Sequence, residues 1–361
     1  KFSMQILAPF RAKIIQFIGL LLGILLVQWL IANPEWVQRL YTERVFVWIT
    51  RPLRWVSGTF HLAIGELVYL FILIILIINI IKYFISNKYS IRNGQFWVSL
   101  SLSLGIVLTQ LYLWFMVLWG FNYYQPDPSK KFNLKVKEQY SLAEVDSLSV
   151  QLIREMNKSR LQITDKQIDQ YAIVEEYPSI KKALFPSWGD KLGYLAFYHP
   201  ITGEAIIRDD LPQLLKPFTL EHEKAHQFGY ASETEANFIA FMAAQESMDP
   251  LLKYSTQIQI FSYAQNATLW LVAQKGDYAL WKKIVERNKS LVSPKVLADR
   301  QKIKAFFASR QDDRIPGSDK LYDQFLQWNN QAKGLESYDD VIRWVLAYNA
   351  TKTDSSTSYS R

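Results

Sequence analysis

The chain has 361 residues, of which 50% are hydrophobic, 15% aromatic and 20% charged, with no cysteine and a formal net charge of +8. This composition excludes a disordered or collagen-like chain, and the lack of cysteine excludes disulfides, thiolate metal sites and a cysteine nucleophile, leaving histidine and carboxylate as metal ligands. Many of the lysines and arginines flank long apolar runs, where they face lipid headgroups, so no nucleic-acid partner is expected.

Residues 14–34, 67–81 and 94–126 carry no charge at all. A bilayer core about 30 Å thick needs roughly 20 apolar helical residues. Residues 14–32, 62–85 and 96–119 meet that length and are expected to span. Trp29, Trp36, Tyr83, Trp97, Trp119, Tyr123 and Tyr124 fall near their ends, as suits rings that prefer the headgroup level. The first span is too long for a signal-peptide core and shows no small-residue cleavage site, so it is expected to be retained. Residues 35–60 mix Phe46, Trp48 and Trp55 with Arg39, Arg44, Arg51 and Arg54, which suits a helix lying in the interface or a loop packed on the other helices. Glu66 is expected in the headgroup layer, where a carboxylate favours the helix N-terminus of the second span. Three spans put the two termini on opposite sides. The shortest basic turn, 82–92, weighs most in the positive-inside rule and directs the polar C-terminal domain outwards.

A break at Gln125-Pro-Asp-Pro128 opens the polar part. The expected organisation is a membrane domain over 1–125, a second domain over 126–354 and a disordered tail over 355–361. Hydrophobic residues three and four apart predict helices over 141–158 and 165–184. Short strands are predicted over 193–198 and 204–208 about the turn 199–203, and helices from 220 onwards. The fold class is therefore α+β, mostly helical, with a small sheet. Residues 193–198 suit an edge strand that could pair with an extended peptide. Phe306, Phe307, Trp328 and Trp344 are expected in the core.

The segment Thr219-Leu-Glu-His-Glu-Lys-Ala-His-Gln-Phe-Gly229 contains HExxH. Four residues apart on a helix, His222 and His226 share a face and can converge on one ion, while Glu223 lies beside them as a general base. Zn²⁺ is the expected cofactor, because it lowers the pKa of a bound water and polarises a carbonyl. Gly229 is expected to stop the helix as a C′ residue, and a second helix opens at Glu233. Ser232 and Glu235 match a capping box, which leaves Glu233 as the better third ligand and Glu235 as the alternative. His199 is either a lone surface histidine or an oxyanion donor. Tyr230 and Tyr254 are either packing residues or phenolic donors to a tetrahedral intermediate.

HEKAHQFG followed by ETEAN resembles the HExxH plus ExxA[ND] arrangement of gluzincin-type peptidases, including the ImmA and IrrE-like group and the HtpX-like membrane peptidases. That resemblance covers residues 219–241 and implies a zincin-like domain, with Glu233 as the third zinc ligand and Asn237 at the [ND] position. A wider resemblance runs through Ile64-Gly-Glu66, Trp119-Gly-Phe-Asn-Tyr-Tyr124, Gly203-Glu-Ala205, Pro217-Phe-Thr219, Tyr254-Ser255 and Ser337-Tyr338. It is to an uncharacterised bacterial family of three-span membrane proteins with a zinc-peptidase-like domain, and it covers most of the chain. The expected protein is a membrane-anchored zinc metallopeptidase of the bacterial cytoplasmic membrane, its catalytic domain extracytoplasmic, acting on a protein or peptide substrate. The alternative is a sensory or binding membrane protein that keeps the fold without turnover.

Overall fold

The computed structural model describes residues 10–86, 93–171, 178–329 and 341–358. The turn over 87–92 and the Ser337-Tyr338 pair lie outside the described residues. The chain divides into two compact units, one made of Lys1–Leu53, Ile64–Pro126 and Pro200–Thr202, the other of Arg54–Ala63, Asp127–His199 and Gly203–Arg361.

In the first unit, α1 (Arg11–Ile31), α3 (Ile64–Ser86) and α4 (Gly94–Leu118) are long and apolar enough to cross a bilayer. Their outward leucines and isoleucines are exposed to whatever surrounds the unit, which is what a lipid-facing helix needs. The helix α1 packs on α4 through small residues: a Cβ at Gly23 would come within 3.1 Å of Leu113, and one at Gly105 within 3.2 Å of Phe17. The ammonium of Lys13 donates to the hydroxyls of Ser99 and Ser103, both at 2.8 Å, so its charge is solvated by protein. Glu66 sits in the first turn of α3, as expected for a carboxylate at this helix N-terminus, and is buried against the chain at 8% exposure. Residues 35–58 are helical rather than a loop, and only Thr59 and Phe60 are not. A short helix, Pro34–Trp36, runs into a π-helical stretch, Val37–Val45, and then into α2 (Phe46–Gly58). In the first unit Tyr41 donates to the Val117 carbonyl at 2.9 Å, and Thr42 to Asn122 at 2.9 Å. In the second unit Arg54 of α2 lies over the Phe228 ring.

The second unit is helical around a three-stranded sheet. Its core is the contact of α5 (Leu142–Leu161) with α8 (Pro250–Ala273), joined by α7 (Glu233–Glu246) and α12 (Val341–Ser358). The helix α5 starts at a full capping box between Ser141 and Glu144 and buries Val145, Leu148, Leu152 and Met156, three and four residues apart. Phe238, at 0% exposure, packs edge-on against Trp344 with ring centroids 5.4 Å apart. Burying one such side chain stabilises the fold by about 1.5–3 kcal/mol. Trp344 is core as expected and Phe306 is half-buried, but Phe307 and Trp328 are exposed at 43% and 79%. The helix α12 runs through 355–358, the start of the expected tail, while 359–361 lie outside the described residues.

The sheet order is β1 (Ile180–Lys182), β3 (Glu204–Ile207), β2 (Ala196–His199), with β1 parallel and β2 antiparallel to β3. Among the described residues of the helix expected over 165–184, Asp165–Asp169 are helical and 180–182 form β1, while 172–177 lie outside the described set. Gly193 does not begin a strand. It caps the short helix Ser187–Leu192 at φ 83°, a conformation glycine adopts without steric cost. The sheet positions α6 (Lys216–Gln227): Gln227 donates to the Ser179 hydroxyl at 3.1 Å and to the Gly203 carbonyl at 2.9 Å.

Candidate metal centre

His222, Glu223 and His226 lie on α6 and Glu233 opens α7, and all four are buried. Between the helices the chain reverses in a full Schellman turn. Tyr230 N–H donates to the Ala225 carbonyl at 3.1 Å and Gly229 N–H to the His226 carbonyl at 2.9 Å, with Gly229 at φ 90°. This reversal returns Glu233 to the histidine face.

The Nε2 atoms of His222 and His226 are 3.1 Å apart, and Oε2 of Glu233 lies 3.1 Å and 3.8 Å from them. Among the described residues these three can hold one metal ion, their ligand atoms lying within 4.8 Å of one another. The spacing fits zinc, since tetrahedral ligands at zinc–nitrogen distances of about 2.0–2.1 Å stand roughly 3.3 Å apart. The tautomers fit as well. His222 Nδ1 is 2.8 Å from Asn237 Oδ1, and His226 Nδ1 is 2.6 Å from the Tyr230 carbonyl. Both partners are acceptors, so each Nδ1 carries a hydrogen, and the neutral form of each ring has its lone pair on Nε2, where an ion would bind. Asn237, at the [ND] position, thus orients the ring of His222.

The electrostatics follow from burial and proximity. Burial opposes a charged His226, but the Glu233 carboxylate outweighs it and lifts the imidazole to about 9. Burial likewise opposes an ionised Glu233, yet the two imidazoles hold it well below the usual carboxylate range. Two apposed imidazoles and a carboxylate that favour an added positive charge form a donor set suited to a dication. Glu223 is raised by burial, an effect that the histidines oppose and Glu233 reinforces. Its Oε2 makes no hydrogen bond among the described residues.

Other expected residues fall elsewhere. Glu235 is buried at the first turn of α7, outside the three-atom cluster, and burial raises it to about 8, with the charge of Asp127 adding. Only half of the capping box forms: Glu235 accepts from the Ser232 backbone N–H, while the Ser232 side chain makes no cap bond. His199 is fully buried at the end of β2 opposite Glu204, not on the surface, and burial depresses it to about 4. Tyr254 donates to Asp299 at 2.9 Å, and Arg160 donates to the same oxygen at 2.6 Å, so its hydroxyl serves the core. The hydroxyl of Tyr230 accepts from Lys131 at 3.2 Å. One contact was not foreseeable: Tyr322 of α11 (Ser318–Trp328) donates to Oε1 of Glu233 at 2.9 Å. With 20 tyrosines in the chain and the partners 89 positions apart, no local pattern marks it.

A family described as a protein of unknown function (DUF3810) matches residues 41–346. The chain belongs to that family. No curated protein and no solved structure matches it. The matched part of this DUF3810 protein runs from the π-helical stretch into α12 and includes His222, Glu223, His226, Glu233 and Tyr322.

Proposed function

We propose that this DUF3810 protein is a membrane-anchored, zinc-dependent metallopeptidase acting on a protein or peptide substrate, with a zincin-like catalytic domain. The observation that carries this reading is Glu223. A cluster that only stored a metal would need His222, His226 and Glu233, and has no use for a further buried carboxylate whose Oε2 is without a hydrogen-bond partner among the described residues.

When bound, zinc would acidify a water and polarise the scissile carbonyl. Glu223 takes the proton from the attacking water at Oε2 and delivers it to the departing amine nitrogen. His222 and His226, each held by an acceptor at Nδ1, would give up any proton on Nε2 to the ion without turning their rings. The strand β2 is an edge of the sheet, and an extended peptide could add to it through main-chain hydrogen bonds. The basic turn 82–92 supports assigning the catalytic domain to the outer side of a bacterial cytoplasmic membrane.

The test is Glu223→Gln in the full chain. The variant should retain zinc and fold while peptide cleavage falls by about 10²–10⁴, the scale of a positioned base. A wild-type protein that loads zinc fully yet cleaves nothing in a broad peptide library would instead make this a sensory or binding site.

A further inference from the structure

Each of the three ligand side chains has a hydrogen-bond partner on the side away from the cluster. For His222 it is Asn237, for His226 the Tyr230 carbonyl, and for Glu233 the hydroxyl of Tyr322. The first two come from within a few residues of the HExxH segment. The third comes from α11, much later in the chain.

We propose that Tyr322 is a positioning residue, which holds Oε1 of Glu233 so that Oε2 alone is offered to the ion. The proposal rests on the metal-centre reading given above. The two carboxylate oxygens have different surroundings: Oε1 accepts from the phenol at 2.9 Å, and Oε2 lies 3.1 Å from Nε2 of His222. A phenolic donor draws negative charge toward Oε1 and opposes rotation of the carboxylate. Both effects favour one-oxygen ligation and leave a position on the ion open for water. The tyrosine is itself held in place. Its ring stacks on Phe325 at 6.3 Å and 16°. The start of α11 is pinned by Arg314–Asp319 at 3.1 Å and by Ile315 N–H donating to the Lys191 carbonyl at 2.9 Å. At 39% exposure Tyr322 is partly open to solvent, while its hydroxyl bonds the buried carboxylate of Glu233.

The experiment compares full-length wild type with Tyr322→Phe, which deletes one oxygen and keeps the ring. Three quantities are measured: zinc affinity by chelator competition, the visible spectrum of the cobalt-substituted protein, and the melting temperature of the metal-free protein. The expected result is zinc affinity lower by about tenfold or more, a cobalt spectrum altered in intensity as Glu233 becomes free to ligate through both oxygens, and an unchanged metal-free melting temperature. Identical affinity and spectrum in the two proteins would overturn the proposal and leave the metal centre standing. A weaker affinity accompanied by a lower metal-free melting temperature would also overturn it, by making Tyr322 a structural pin for α11. Failure of the wild type itself to take up zinc would overturn both this proposal and the reading on which it rests.

Discussion

Nδ1 of His226 lies 2.6 Å from the carbonyl oxygen of Tyr230, and the left-handed residue Gly229 between them is what turns that carbonyl toward the ring. Helix termination and ligand orientation are thus one piece of backbone. The Schellman turn that satisfies the last carbonyls of α6 also supplies the acceptor that fixes a ligand tautomer.

Replacing Gly229 by Ala should therefore cost both stability and metal. A side chain at φ 90° costs about 1–2 kcal/mol, seen as a melting temperature lower by several degrees. Zinc affinity measured on the same variant should fall with it, since relaxation of the turn moves the Tyr230 carbonyl. Unchanged zinc affinity in a destabilised variant would separate the two roles.

Glu233→Ala should lower zinc affinity by about tenfold or more, because even loss of a partner behind a ligand reaches that scale. Glu235→Ala should leave affinity close to wild type. Titration of both variants with a competing chelator decides the matter, and the opposite ranking would transfer the ligand role to Glu235.

His199 gives the second unit an acid-sensitive element. Burial depresses its pKa to about 4, below the ordinary value of 6.5. Between these values the unfolded chain binds a proton that the folded chain does not, so stability rises with pH across this window. The contribution is complete above about 6.5 and is lost as pH falls through about 4. Urea unfolding from pH 7 to pH 4 should show a decline that His199→Asn reduces. A parallel decline in both proteins would remove His199 as its source.

With no native cysteine, single cysteines at Ser90 and Asp312 can report topology directly. Three crossing helices require the two positions to react with an impermeant maleimide from opposite faces of the membrane. Labelling of both from one face would overturn the three-span arrangement.

The sequence made legible what is local. The spans expected over 14–32, 62–85 and 96–119 agree with α1, α3 and α4 to within three residues at each end, and the i,i+4 histidines with Gly229 located the α6–α7 corner. What it hid depends on distant partners. The strand β1 is only Ile180-Lys-Lys182, too short to show a period of two, and it exists because β3 pairs with it more than 20 residues later. The apolar spacing that suggested a helix up to residue 184 belongs in part to that strand. Gly193 precedes a strand-like run and so looks like its first residue, although its left-handed φ closes a short helix. Tyr322 and the Tyr230 carbonyl were invisible for two reasons: a tyrosine carries no mark of its hydrogen-bond partner, and a backbone carbonyl has no residue code at all. Trp328 was expected in the core for its size alone, yet it lies on the exposed side of α11.

Gln227 gives the second unit a mechanical property. Its single amide nitrogen bridges the Ser179 hydroxyl, at the entrance to β1, and the Gly203 carbonyl, in the turn between β2 and β3. The residue beside a histidine of the cluster is thereby fastened to the end of the sheet at which the parallel strands β1 and β3 both begin. Peeling the strands apart removes two acceptors from the helix, and fraying the helix removes the donor from the strands. Amide protons of β3 and of the last turn of α6 should therefore exchange with deuterium in a single cooperative opening. An ion seated on His226 would slow exchange in strands that it never touches, making the sheet a remote reporter of occupancy.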